Sequence, residues 1–174
     1  MTSRELISSI LVRYSLPWTG THGVPHWARV LENGRRLSKM TGAKIHVVEL
    51  FAVFHDSRRT NEATDDGHGR RGAQLAKELR GIVYELEAED FGLLTQACDL
   101  HTEGYLGGDI TLQTCWDADR LDLGRVGITP RPEKLCTHGA RDPGFLNWAI
   151  ARGERLFVPT LVSEEWGVQL MSYV

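Results

Sequence analysis

The chain has 174 residues, 41% of them hydrophobic and 25% charged, with a formal net charge of −3 at pH 7. That length suits one domain whose core needs no covalent staples. The slight acidity weighs against a protein built to grip nucleic acid over an extended surface or to lie on an anionic membrane.

Taken in chain order, the apolar positions follow the helical period. Leu6, Ile7, Ile10 and Leu11 form one stripe between Ser3, a candidate cap, and the breakers Pro17 and Gly20. A second helix is expected from about Pro25, with Val30, Leu31 and Leu37 inward and Gly42 as its stop. The run from Lys44 to Asp56 is apolar on nearly every side. It would suit a buried strand or a buried helix, and its length and helical context favour a helix at the centre of the fold. Ser57 to Gly67 reads as a polar connection ending in a turn. Helices are then expected over about His68–Leu79, Glu87–His101 and Ile110–Leu121, the last two separated by a loop with Gly104, Gly107 and Gly108.

The tail carries weaker signals: short helices over Pro132–Cys136 and Pro143–Gly153, then a strand pair or irregular cap from Leu156 to Val174. The expected fold class is all-α, a compact helical bundle in a single domain over 1–174, with its core at about 22–125 and residues 126–174 packing on it as an extension. Cys98, Cys115 and Cys136 are odd in number and lack C-x-x-C spacing, so they read as reduced thiols rather than as a disulfide framework or zinc site. The first 17 residues lack the pattern of a signal peptide, and no apolar run reaches membrane-spanning length. The expected location is the cytoplasm.

Chemistry gathers at four points. His55-Asp56 closes the buried apolar run, where an ionised aspartate is costly unless paired or metal-bound. His26 stands in the first turn of the second helix, and Asp117, Asp119 and Asp122 lie in an otherwise apolar helix. Two imidazoles and two carboxylates brought together from three helices neutralise a divalent cation and leave positions for water.

In this order and setting, the pattern H…HD…D at His26, His55-Asp56 and Asp119 resembles the HD-domain superfamily of metal-dependent phosphohydrolases. The likeness covers about Pro25 to Leu123. It implies a divalent metal held by His26, His55, Asp56 and Asp119, with Asp117 or Asp122 as alternative ligand or supporting group. Nitrogen and oxygen donors suit manganese, iron, cobalt, nickel or zinc better than magnesium. His68 and His101 are similar to the extra histidines of dinuclear members, where they would bind a second ion or move a proton. The gap from Asp56 to His68 is shorter than in strictly dinuclear families.

Arg59 follows the His-Asp pair where many such proteins place a phosphate clamp. Arg58, Arg71 and His22 are further candidates for substrate contact. The implied reaction is hydrolysis of a small phosphorylated substrate, nucleotides included, by metal-activated water, with Asp56, His101 and Arg59 in catalytic roles. A di-iron oxygenase on the same scaffold and a non-catalytic, metal-stabilised regulatory module are the rival expectations. Neither a membrane nor an extended nucleic-acid surface is among the expected partners, and self-association is left open.

Overall fold

The computed structural model describes residues 2–170, and among these there are helices and 3-10 turns but no strand. The fold is all-α. Helix α1 (Arg4–Leu11) is capped as its sequence suggests, the Ser3 hydroxyl accepting from Leu6 N–H at 3.1 Å, and Leu6, Ile7, Ile10 and Leu11 are buried. Helix α2 (Val24–Thr41) carries Pro25 in its first turn and stops at Gly42, whose φ of 75° is a left-handed conformation that glycine adopts without strain. Helix α3 (Ile45–Phe54) is buried from Val47 to Phe54 and touches α2, α4, α5 and α6. An apolar surface on every side therefore does require the centre of the bundle.

Helices α4 (His68–Leu79), α5 (Ala88–Leu100) and α6 (Ile110–Arg120) close around it. Helix α4 approaches unusually near because two of its contact positions have no side chain. A Cβ on Gly69 would run into the Cys98 carbonyl oxygen of α5, and one on Gly72 into the Phe54 carbonyl oxygen at the end of α3. Gly72→Val should therefore cost about 1–3 kcal/mol of stability in urea denaturation, because backbone cannot yield as a side-chain tip can.

The C-terminal part departs from expectation. Pro132–Lys134 is a single 3-10 turn, a second such turn covers Leu123–Val126, and α7 (His138–Arg141) was not foreseen. Helix α8 (Pro143–Glu154) follows the sequence reading closely. Of the strand pair or irregular cap expected after Leu156, the strand pair is not formed among the described residues; a short helix α9 (Leu161–Glu164) stands in an otherwise irregular stretch. Its residues Leu161 and Val162, with Trp166 and Val168 beyond it, are buried, and Trp166 Nε1 donates to Thr2 Oγ1 at 3.1 Å. With no partner strand nearby, burial against the bundle decides the local shape. Residues 171–174 of that expected pair lie outside the described residues. All three cysteines are free thiols, Cys98 and Cys115 buried. Among the described residues no helix is long and apolar enough to cross a membrane.

Candidate metal centre

His55 is the last turn of α3 continued, its N–H donating to the Phe51 carbonyl at 3.0 Å, and Asp56 follows into the turn. His26 comes from the first turn of α2, Asp119 from the end of α6, His68 opens α4 and His101 ends α5. All four histidines and Asp56 are buried.

The geometry divides into two groups that share Asp56. In the first, His26 Nε2 lies 3.0 Å from His55 Nε2 and 3.4 Å from both Asp56 Oδ2 and Asp119 Oδ1. His55 Nε2 is 3.7 Å from the same two oxygens. With metal–ligand bonds of roughly 2.1 Å, donors at 90° stand about 3.0 Å apart and donors at a tetrahedral angle about 3.4 Å, so this spacing fits the edges of one coordination shell. In the second group, His68 Nε2 lies 2.9 Å from His101 Nε2 and 3.1 Å from Asp56 Oδ1, with His101 Nε2 at 3.8 Å from that oxygen. The triads His26–His55–Asp56 and Asp56–His68–His101 each have all donor atoms within 4.8 Å of one another.

The other ring nitrogens decide what the first ones carry. His55 Nδ1 points at the carbonyls of Phe51 (3.1 Å) and Ala52 (3.2 Å), His68 Nδ1 at that of Asp65 (2.6 Å), and His101 Nδ1 at that of Cys98 (2.7 Å). His26 Nδ1 faces Asp122 Oδ2 at 2.8 Å. Carbonyl and carboxylate oxygens only accept, so Nδ1 bears the hydrogen in all four rings. In a neutral imidazole Nε2 is then a lone pair, and two lone pairs face each other across 3.0 Å and again across 2.9 Å. Such pairs repel unless a cation stands between them. Two carboxylate oxygens aimed at the same places, Asp56 Oδ1 and Asp119 Oδ1, are buried without a hydrogen-bond partner among the described residues; the nearby His68 Nε2 does not direct a hydrogen at the Asp56 oxygen. Orphaned acceptors of this kind suit a cation.

The electrostatics agree. Burial pushes His55 down to about 3, which keeps it neutral. Burial would raise Asp56 and Asp119, yet the surrounding imidazoles, with Arg125 near Asp119, outweigh it and hold both carboxyls low. Burial likewise opposes charge on His101, but the carboxylates of Asp56 and Asp119 prevail and raise it. The same negative field would also draw a metal ion.

Asp122 and Asp117 take separate parts. Asp122 orients His26 and is itself gripped by Arg29, whose Nε and Nη2 donate at 2.6 and 2.9 Å. Asp117 faces away from the cluster: it accepts from the backbone N–H of Cys136 (2.7 Å), and from the N–H and hydroxyl of Thr137 (both 2.8 Å). It pins the C-terminal part rather than serving as a ligand.

Asp56, His68, His101 and Asp119 line a cleft of about 300 Å³ together with His22, Arg59, Thr102, Arg120, Leu123 and Arg125, whereas His26 and His55 are fully buried and do not line it. It is smaller than a surface hollow of about 450 Å³ at Leu50, Tyr84 and Glu87, which holds no comparable donor cluster among the described residues. Arg59 is buried, with Nη1 3.2 Å from His68 Nε2 and 3.6 Å from Asp56 Oδ1. Its guanidinium and a second ion thus answer to the same lone pairs. His22 is fixed by Glu62, whose Oε2 lies 2.6 Å from Nδ1 and accepts the His22 N–H at 3.2 Å, and burial lowers its pKa. Arg58 and Arg71 are not brought to the cleft. Arg58 reaches the Arg13 carbonyl, and Arg71 is spent on Arg58 O, Asp66 O and Asp65. Arg120, Arg125 and Glu62 were not foreseen. The first two follow Asp119 in the chain, and Glu62 sits in a loop that reads as solvated.

No protein-family model, curated protein or solved structure matches the chain.

Proposed function

We propose that the chain is a metal-dependent phosphohydrolase of the HD-domain type, acting on a small phosphate ester. One observation supports this above the others: four histidines present converging Nε2 lone pairs around a shared Asp56, beneath a cleft walled by Arg59, Arg120 and Arg125. His26, His55, Asp56 and Asp119 would hold one divalent ion; Asp56, His68 and His101 offer the ligands for a second. When bound, such an ion would activate water and polarise the phosphoryl oxygen. Arg59 and Arg125 lie where they can bind the non-bridging oxygens and offset the charge that grows on them. With Nδ1 tied to Glu62, His22 has Nε2 left to hold or return a proton at the leaving oxygen.

The test is elemental analysis of the purified protein together with a screen of phosphate esters and nucleotides, with and without added manganese, iron, cobalt, nickel or zinc. Metal-dependent release of phosphate or a nucleotide product is expected, and its loss in folded His55→Ala. Turnover that persists in excess chelator would sink the reading. The His68–His101 pair also keeps a di-iron oxygenase in view. That alternative requires two irons per chain and fails if a single non-iron ion is found.

A further inference from the structure

The two donor groups are unequal in charge and in access. The first has two carboxylate oxygens, Asp56 Oδ2 and Asp119 Oδ1, and its imidazoles are shut off from the cleft. The second has only the shared Asp56, through Oδ1, and all three of its donors line the cleft. A positive charge already stands beside it. Arg59 Nη1 lies 3.2 Å from His68 Nε2 and 3.6 Å from Asp56 Oδ1. This guanidinium is buried and cannot readily withdraw, because Nε and Nη2 donate to the carbonyls of Asn61 (3.2 Å) and Ala63 (2.5 Å) in the loop after α3. Nη1 is the one guanidinium nitrogen not spent on a carbonyl. Beside the first group the guanidinium of Arg125 stands farther off, 3.9 Å from Asp119 Oδ1.

These positions tie two binding events together. An ion at the second group takes the His68 Nε2 lone pair and Asp56 Oδ1, which are the acceptors that face Arg59 Nη1. Nη1 is then a buried donor without an acceptor, close to a divalent charge, and both effects oppose the ion. An oxyanion in the cleft removes both, since it accepts from Nη1 and offsets the added charge. We infer that Arg59 makes the second position a weak one for the protein alone, filled together with the oxyanion of the substrate. By linkage, ion and oxyanion then strengthen each other by the same factor. The inference stands on the donor geometry; the phosphohydrolase reading enters only in naming the oxyanion a phosphate.

The experiment is calorimetric titration of manganese(II) into the metal-free protein, alone and with saturating methylphosphonate, which cannot be hydrolysed as an ester. Alone, two steps are expected, the second at least about hundredfold weaker than the first. Methylphosphonate should tighten the second step at least about tenfold more than the first. Arg59→Met should bind the second manganese at least about tenfold tighter than the wild type and lose most of the methylphosphonate gain, whereas Arg59→Lys, which keeps the charge, should keep the wide gap. His101→Leu leaves Arg59 in place and should lose the weak step alone, so the inference can be decided even if Arg59→Met fails to fold. Two steps of equal affinity, a second step that is absent or untouched by methylphosphonate, an unaltered gap in folded Arg59→Met, or loss of the tight step in His101→Leu overturns the inference. If no phosphate ester is hydrolysed, the functional reading falls separately, because these affinities do not depend on turnover.

Discussion

Asp56→Asn should abolish metal-dependent turnover, by about 10³-fold or more, while leaving the metal-free protein folded. Asp56 is the one residue common to both donor groups, Oδ2 toward His26 and His55, Oδ1 toward His68. Its loss therefore removes a ligand from each. Without metal two effects on Asp56 oppose each other: Oδ1 is buried with no hydrogen-bond partner among the described residues, while the surrounding groups favour the charged form. An amide of the same shape gives up both, so metal-free Asp56→Asn should stay folded with a melting temperature near that of the wild type. Metal should separate the two proteins. At 100 times the dissociation constant, binding adds about 2.7 kcal/mol to the wild type, which raises Tm by about 5–10 °C in a domain of this size. Asp56→Asn should show no such rise. A variant that still gains thermal stability from the metal, or turns over at more than a tenth of the wild-type rate, would remove Asp56 from the centre.

How far the sequence foretells such a centre depends on the kind of signal each residue gives. The bundle is legible because Leu6, Ile7, Ile10 and Leu11, or Val30, Leu31 and Leu37, repeat at the helical period between recognisable stops. His55-Asp56 is legible for a related reason: ionisable groups at the end of a run that must be buried need partners. Beyond Leu156 the apolar residues Leu161, Val162, Trp166 and Val168 form too short a run to establish a period, so their burial is a matter of tertiary packing. The arginines show the finer limit. Arg58 and Arg59 are adjacent and chemically equal, and the turn after α3 directs Arg59 into the cleft and Arg58 to the Arg13 carbonyl. Glu62 pairs with His22 across 40 positions of chain, and Arg125 borders the cleft from a 3-10 turn after α6. A loop carboxylate and a loop guanidinium look solvated in one dimension, and only the folded path shows otherwise.

Asp122 tests whether the supporting groups matter as much as the ligands. It accepts from His26 Nδ1 at 2.8 Å and from two nitrogens of Arg29, all within buried surroundings. Burial pushes its carboxyl up, but the hydrogen bonds and charges of His26 and Arg29 outweigh this and hold it below the ordinary 3.8. A depressed carboxyl stabilises the fold in full above its unfolded value, and that contribution fades as pH falls through the lower folded value. Asp122→Ala should carry two losses that can be told apart. Stability should fall by about 3–5 kcal/mol in urea denaturation, because Arg29 is left as an uncompensated buried charge. Metal affinity should fall about 10–100-fold, because the His26 ring loses the acceptor that fixes its tautomer and direction. The double variant Arg29→Met, Asp122→Leu removes the orphaned charge and should recover much of the stability. It cannot restore the acceptor, so the affinity loss should remain. If the double variant binds metal like the wild type, His26 is held by packing alone, and the Asp122 hydrogen bond is a consequence of the fold rather than part of the centre.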